Sequence, residues 1–155
     1  SSNMNEIVRY DLSTQNSGEW TTIAKVNEAN QRGGVAFVVE DKVYAGLGEK
    51  SNGIRNGFYV SSDSLTKWEL IPSIPAQLGV ISSGVYDEQK KSFFMIDNDG
   101  KIWEYNLTTE QWTSRSLWIR MKNYHMFMLD GSIYILGQDI YQKNKFTVYN
   151  PIWDN

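Results

Sequence analysis

A tyrosine followed by a tryptophan recurs four times along this chain, as Tyr10 with Trp20, Tyr59 with Trp68, Tyr105 with Trp112 and Tyr149 with Trp153. Successive tryptophans are 48, 44 and 41 residues apart and successive tyrosines 49, 46 and 44. The clearest instance is Gly57 to Trp68 (GFYVSSDSLTKW). There a short β-branched and aromatic run, Phe58-Tyr59-Val60, enters a polar turn, and Trp68 opens a second strand. A recurrence of this length is that of a four-stranded β unit stacked on its neighbours, not of a helical pair.

The 155 residues suit one domain with a real core, and 41% hydrophobic with 14% aromatic content is that of a folded chain. Apolar stretches are only a few residues long, so none reads as a membrane span. No signal peptide is visible, and Ser1-Ser2-Asn3 resembles a processed end. A net charge of −3, with no basic run beyond Lys90-Lys91, argues against a nucleic-acid partner. The absence of Cys removes disulfides, thiolate metal sites and Cys nucleophiles.

In chain order, Glu6–Leu12 and Trp20–Ile23 read as two strands, the outer half of a unit spanning about residues 1–26. The unit at 27–75 is complete: Val35–Val39, apolar on both faces, then Val43–Leu47, a Gly- and Asn-rich loop from Gly48 to Asn56, and the Tyr59 and Trp68 strands. The unit at 76–117 begins with Val80–Tyr86, where Ser82, Ser83 and Gly84 suit close packing near an axis. It continues with Phe93–Ile96, the turn Asp97-Asn98-Asp99-Gly100, Ile102–Leu107 and Trp112–Ser114. The unit at 118–155 supplies Tyr124–Leu129, an Asp130-Gly131 turn, Ile133–Gly137 and Phe146–Tyr149, and stops at Trp153. About fourteen strands and no helix follow from these patterns.

An inner first strand, a second strand ending in glycine, a Tyr in the third and a Trp opening the fourth resemble the kelch, or galactose-oxidase-like, β-propeller. The family's glycine doublet survives as Gly46-Leu47-Gly48 and Leu136-Gly137 and is missing at Met95-Ile96-Asp97. Ser61 to Trp68 also resembles an Asp-box turn, with Ser61, Asp63 and Trp68 in place and Leu65 and Lys67 replacing its Gly and Thr. The combination is similar to propeller domains of Bacteroidetes cell-envelope lipoproteins of unassigned function. The resemblance implies an all-β, partial β-propeller of about three and a half kelch-like four-stranded antiparallel blades. Tyr59, Trp68, Tyr105 and Trp112 are expected between blades, where each ring buries roughly 150–250 Å². The Asp63 carboxylate is expected to accept N–H bonds inside its own turn. Because propellers close with about 4–8 blades, the chain reads as the C-terminal part of a larger propeller, or as one whose copies cover its terminal blades.

Catalytic constellations are not visible. The single His, His125, lies between Tyr124, Met126 and Phe127 and reads as a packed, hydrogen-bonded core residue. The resemblance to galactose oxidase lacks the required Cys, and sialidase chemistry lacks the arginine triad and the Arg-Ile-Pro start. Asp97-Asn98-Asp99-Gly100 reads as a hairpin, without the downstream ligands of a calcium loop. No cofactor, metal ligand or catalytic residue is assigned, and the chain reads as a non-enzyme.

The remaining candidate is a binding face. In an antiparallel four-stranded blade, the loop into strand one and the loop joining strands two and three emerge at the same end. That end collects Arg32, Arg55, Asn56, Arg120, Asn123 and Tyr141 as candidate ligand-binding residues, whose amides, guanidinium forks and phenol suit a polysaccharide or a protein loop. The leading expectation is a non-catalytic binding or scaffold module of a cell-envelope or extracellular protein, for glycans. An intracellular kelch-type adaptor, and a fragment of a propeller enzyme whose catalytic residues lie elsewhere, are the alternatives.

Overall fold

A computed structural model describes residues 6–11, 18–25, 31–32, 34–50, 53–54, 57–62, 65–75, 83–97, 99–118 and 121–151. Among them the chain is all-β, with no α-helix. It opens with a hairpin of β1 (Glu6–Asp11) and β2 (Glu19–Lys25), in which Tyr10 faces Trp20 across the ladder. A two-residue strand, β3 (Gln31–Arg32), precedes the first blade. That blade is β4 (Val35–Val39) and β5 (Lys42–Gly46), then, after β6 (Glu49–Lys50) and β7 (Gly53–Ile54), β8 (Phe58–Ser61) and β9 (Trp68–Ile71). The second blade is β10 (Gly84–Asp87), β11 (Ser92–Ile96), β12 (Lys101–Asn106) and β13 (Gln111–Trp118). The third is β14 (Lys122–Leu129), β15 (Ser132–Gln138) and β16 (Asn144–Tyr149). Every blade is an antiparallel meander in chain order.

The blades stack as propeller blades do. Their closest backbone approaches are between first strands, β4 with β10 and β10 with β14, so these line the inner side of a partial propeller. Each sheet then has a forward face toward the following blade and a backward face toward the preceding one. Phe37 and Phe58 on the forward face of the first blade share a core with Phe93, Met95, Trp103 and Tyr105 of the second. Val85, Phe94, Ile96 and Ile102 on the forward face of the second share another with Tyr124, Met126, Ile133, Ile135 and Tyr149 of the third. The second blade is covered on both sides, so β11 reads as five consecutive buried residues. This is the reason Ser92-Phe93-Phe94-Met95-Ile96 carries no polar alternation.

Close approach at the inner strands is set by small residues. A Cβ on Gly84 would lie 2.7 Å from the Phe37 ring and 3.0 Å from the Phe94 carbonyl, so β10 takes only glycine there without a shift. The Met126 N–H donates to Ser83 Oγ at 2.9 Å, and the Tyr124 hydroxyl donates to the Ile96 carbonyl, tying the third blade to the second. Farther out, Trp112 Nε1 donates to the Pro72 carbonyl at 2.6 Å, and Arg115 pairs with the buried Glu104 carboxylate. The Asp97 turn is a hairpin as expected. Its carboxylate accepts from the Asp99 and Lys101 N–H groups at 3.0 and 2.9 Å and from Trp103 Nε1 at 2.9 Å. Asp130 and Gly131 both have positive φ, 47° and 71°, as a two-residue hairpin turn requires.

Two expectations change. Gly48 to Asn56 is not simply a loop: β6 and β7 pair with each other and β6 with β3, forming a small sheet beside the first blade. Tyr105 and Trp112 pack between blades as expected. Tyr59 and Trp68 lie on the backward face of the first blade, the face Tyr105 and Trp112 take in the second, because Phe58 is the residue of β8 turned toward the second blade. His125 is exposed, not a core residue, since Tyr124 and Met126 take the buried face of β14. Asp63 and Trp153 lie outside the described residues. No helix among the described residues is long and apolar enough to cross a membrane.

Candidate groove on the third blade

The forward face of the third blade repeats that of the first at four positions. The ladder pairs Phe37 with Tyr44 and Tyr44 with Val60, and Gly46 with Phe58. It likewise pairs Phe127 with Tyr134 and Tyr134 with Val148, and Leu136 with Phe146. Phe37, Tyr44, Phe58 and Val60 therefore correspond to Phe127, Tyr134, Phe146 and Val148. In the second blade Phe94 and Ile96 oppose Glu104 and Ile102, which puts Ile102 at the position of Phe58 and Phe146. Phe58 and Ile102 are completely buried by the blade that follows, whereas Phe146 is 56% exposed. Phe127, Tyr134 and Phe146 form a run of neighbouring rings, 5.2 and 5.7 Å between centroids, along this open face.

At one end of that face is a groove of about 480 Å³, within the roughly 300–1,000 Å³ of small-ligand sites. It is lined by Leu136, Gly137 and Phe146 together with the polar residues Asn123, His125, Gln138, Asn144 and Lys145. The β14 start, the β15 end and the β16 start meet here because antiparallel pairing brings Lys122 opposite Gln138 and Gln138 opposite Asn144. The ladder shifts register between Lys122 and His125, where Asn123 has a positive φ of 49°, and the Asn123 amide donates to Gln138 Oε1 at 3.3 Å. The arrangement combines an exposed ring, paired amides, an imidazole and an ammonium. It can stack on a flat ligand and exchange several hydrogen bonds with it.

Of the residues expected to bind ligand, Asn123 lines this groove. Tyr141 is 75% exposed in the turn between β15 and β16, which Asp139 holds by accepting from the Tyr141 and Lys143 N–H groups at 2.8 and 3.0 Å. Tyr141 stands beside the groove without lining it. Arg32 belongs to β3, opposite Glu49 of β6. Arg55, Asn56 and Arg120 lie outside the described residues. The expected geometry holds in two places: β3 meets the β6–β7 hairpin, and Asn123 meets Gln138, each bringing the entry to strand one to the exit of strand two. His125, Lys145 and Phe146 were not marked as site residues by the sequence. The signal lay in the match of Phe146 to Phe58 within the repeat.

Among the described residues no group of three His, Cys, Asp or Glu is placed to hold a metal ion. Compared with models of known protein families, the chain matches none, and no curated protein matches it either.

Proposed function

We propose that this chain is a non-catalytic binding module of a kelch-like cell-envelope protein, and that the groove on the third blade binds a glycan. The observation that carries the reading is Phe146, a large ring left open to solvent and bordered by the amides of Asn123, Gln138 and Asn144. A sugar ring offers an apolar C–H face to such a platform and hydroxyls to such amides. Each hydroxyl both donates and accepts, which amide pairs match. Lys145 and His125 add donors that would favour a carboxylated sugar.

The test is a glycan array followed by calorimetric titration of the best hits. Phe146→Ala and Asn144→Ala are expected to weaken binding tenfold or more without changing the melting temperature appreciably. Absence of binding to every neutral and acidic glycan, or retention of full affinity in both variants, would overturn the reading.

A further inference from the structure

The chain carries, both uncovered, the two halves of a contact that it also makes internally. Inside the molecule Phe58 sits against the Tyr105–Trp112 pair, with centroids 6.4 Å from Tyr105 and 6.0 Å from Trp112. Tyr105 and Trp112 oppose each other across the ladder with rings 4.8 Å apart at 43°. Tyr10 and Trp20 oppose each other across the β1–β2 ladder with rings 4.9 Å apart at 45°, which is the same arrangement. Yet Tyr10 is 42% and Trp20 68% exposed. Phe146 holds the ladder position of Phe58 and is likewise bare.

We infer that Phe146 of one copy docks against the Tyr10–Trp20 pair of a second copy, reproducing the internal contact of Phe58 with Tyr105 and Trp112. The β1–β2 hairpin supplies the outer two strands of the covering sheet, the same strands that carry Tyr105 and Trp112 in the second blade. Leu136 and Val148, exposed beside Phe146, would be covered with it. Two different surfaces meet, so the contact is head-to-tail, and repeated copies close into a ring or extend as an open chain. The inference rests on ladder equivalence and not on the glycan reading. A copy docked on Phe146 closes the groove, so a groove ligand and self-association exclude one another.

The experiment is sedimentation velocity of the full chain without glycan, over a wide concentration range. The wild type should gain mass with concentration, and Phe146→Asp and Trp20→Ala should each weaken association tenfold or more. Because both side chains are exposed, both variants should keep the wild-type circular dichroism and melting temperature. Mixing the two variants is the decisive arm. The first retains the Tyr10–Trp20 face and the second retains Phe146, so an equimolar mixture should form a one-to-one heterodimer that neither forms alone. A wild type that stays monomeric throughout, or a mixture that stays monomeric, overturns the inference. An isologous contact between two Phe146 faces would show as loss of association in Phe146→Asp alone.

Discussion

Phe58 and Phe146 hold the same ladder position in their blades, opposite Gly46 and Leu136. Phe58 lies under the second blade with no exposed surface, while Phe146 is more than half exposed. One residue type at one position is thus core in the first blade and exposed surface in the third.

That equivalence makes a matched pair of substitutions informative. Phe58→Ala leaves a cavity among Phe37, Phe93, Tyr105 and Trp112, and should cost about 3–5 kcal/mol. Phe146→Ala removes a ring already in water and should cost less than about 1 kcal/mol. Urea unfolding of dilute, unliganded protein measures both, and equal losses would contradict the stacking described.

Two glycines with positive φ separate steric crowding from backbone strain. A Cβ on Gly46 would lie 2.2 Å from the Gly57 carbonyl oxygen and 2.9 Å from Phe58 Cα, with φ at 150°, so Gly46→Ala must displace β8 backbone. It should abolish folding or lower the melting temperature severely. Gly131→Ala meets nothing within 4 Å and bears only the cost of φ at 71°, about 1 kcal/mol. A small thermal shift for Gly131→Ala beside a collapse for Gly46→Ala is the expected outcome.

Much of this fold was legible in the sequence because the blade repeats, and the parts that were not have local causes. The Tyr–Trp recurrence marks where third and fourth strands pair, and Tyr105 with Trp112 and Tyr10 with Trp20 do pair directly. Strands β3, β6 and β7 are two residues each and carry no period, so the small sheet around them had no sequence signature. His125 was placed in the core because β14 is apolar on both faces. Tyr124 and Met126 are turned inward and Phe127 and Leu129 outward, and parity alone does not say which set is covered. The groove draws on positions near 123, 136 and 146, whose meeting depends on the register of two ladders. Asn123 was marked because it precedes an inner strand; Phe146 was not, because its pattern is that of Phe58, which is buried.

Alkaline titration should report the core between the first and second blades. Burial, and after it Glu110 and Tyr44, pushes the Tyr105 hydroxyl up from 10.0 to about 12. Burial also raises Tyr44 and Tyr86. The unfolded chain therefore releases these protons at lower pH than the folded one. The Tyr105 contribution to stability is complete below pH 10 and is lost as pH rises toward about 12. Stability to urea should fall across that interval, and Tyr105→Phe should flatten the fall. An unchanged slope in Tyr105→Phe would contradict the burial of its hydroxyl.

The proposed docking brings the open forward face of the third blade against the Tyr10–Trp20 pair of a second copy. Two-dimensional NMR of the full chain across a dilution series observes both sides at once. The Trp20 indole N–H and the Phe146 ring resonances should move together with concentration, while those of Phe58 and Trp112 stay fixed. Concentration-independent Trp20 and Phe146 signals, or shifts confined to other surfaces, would contradict it.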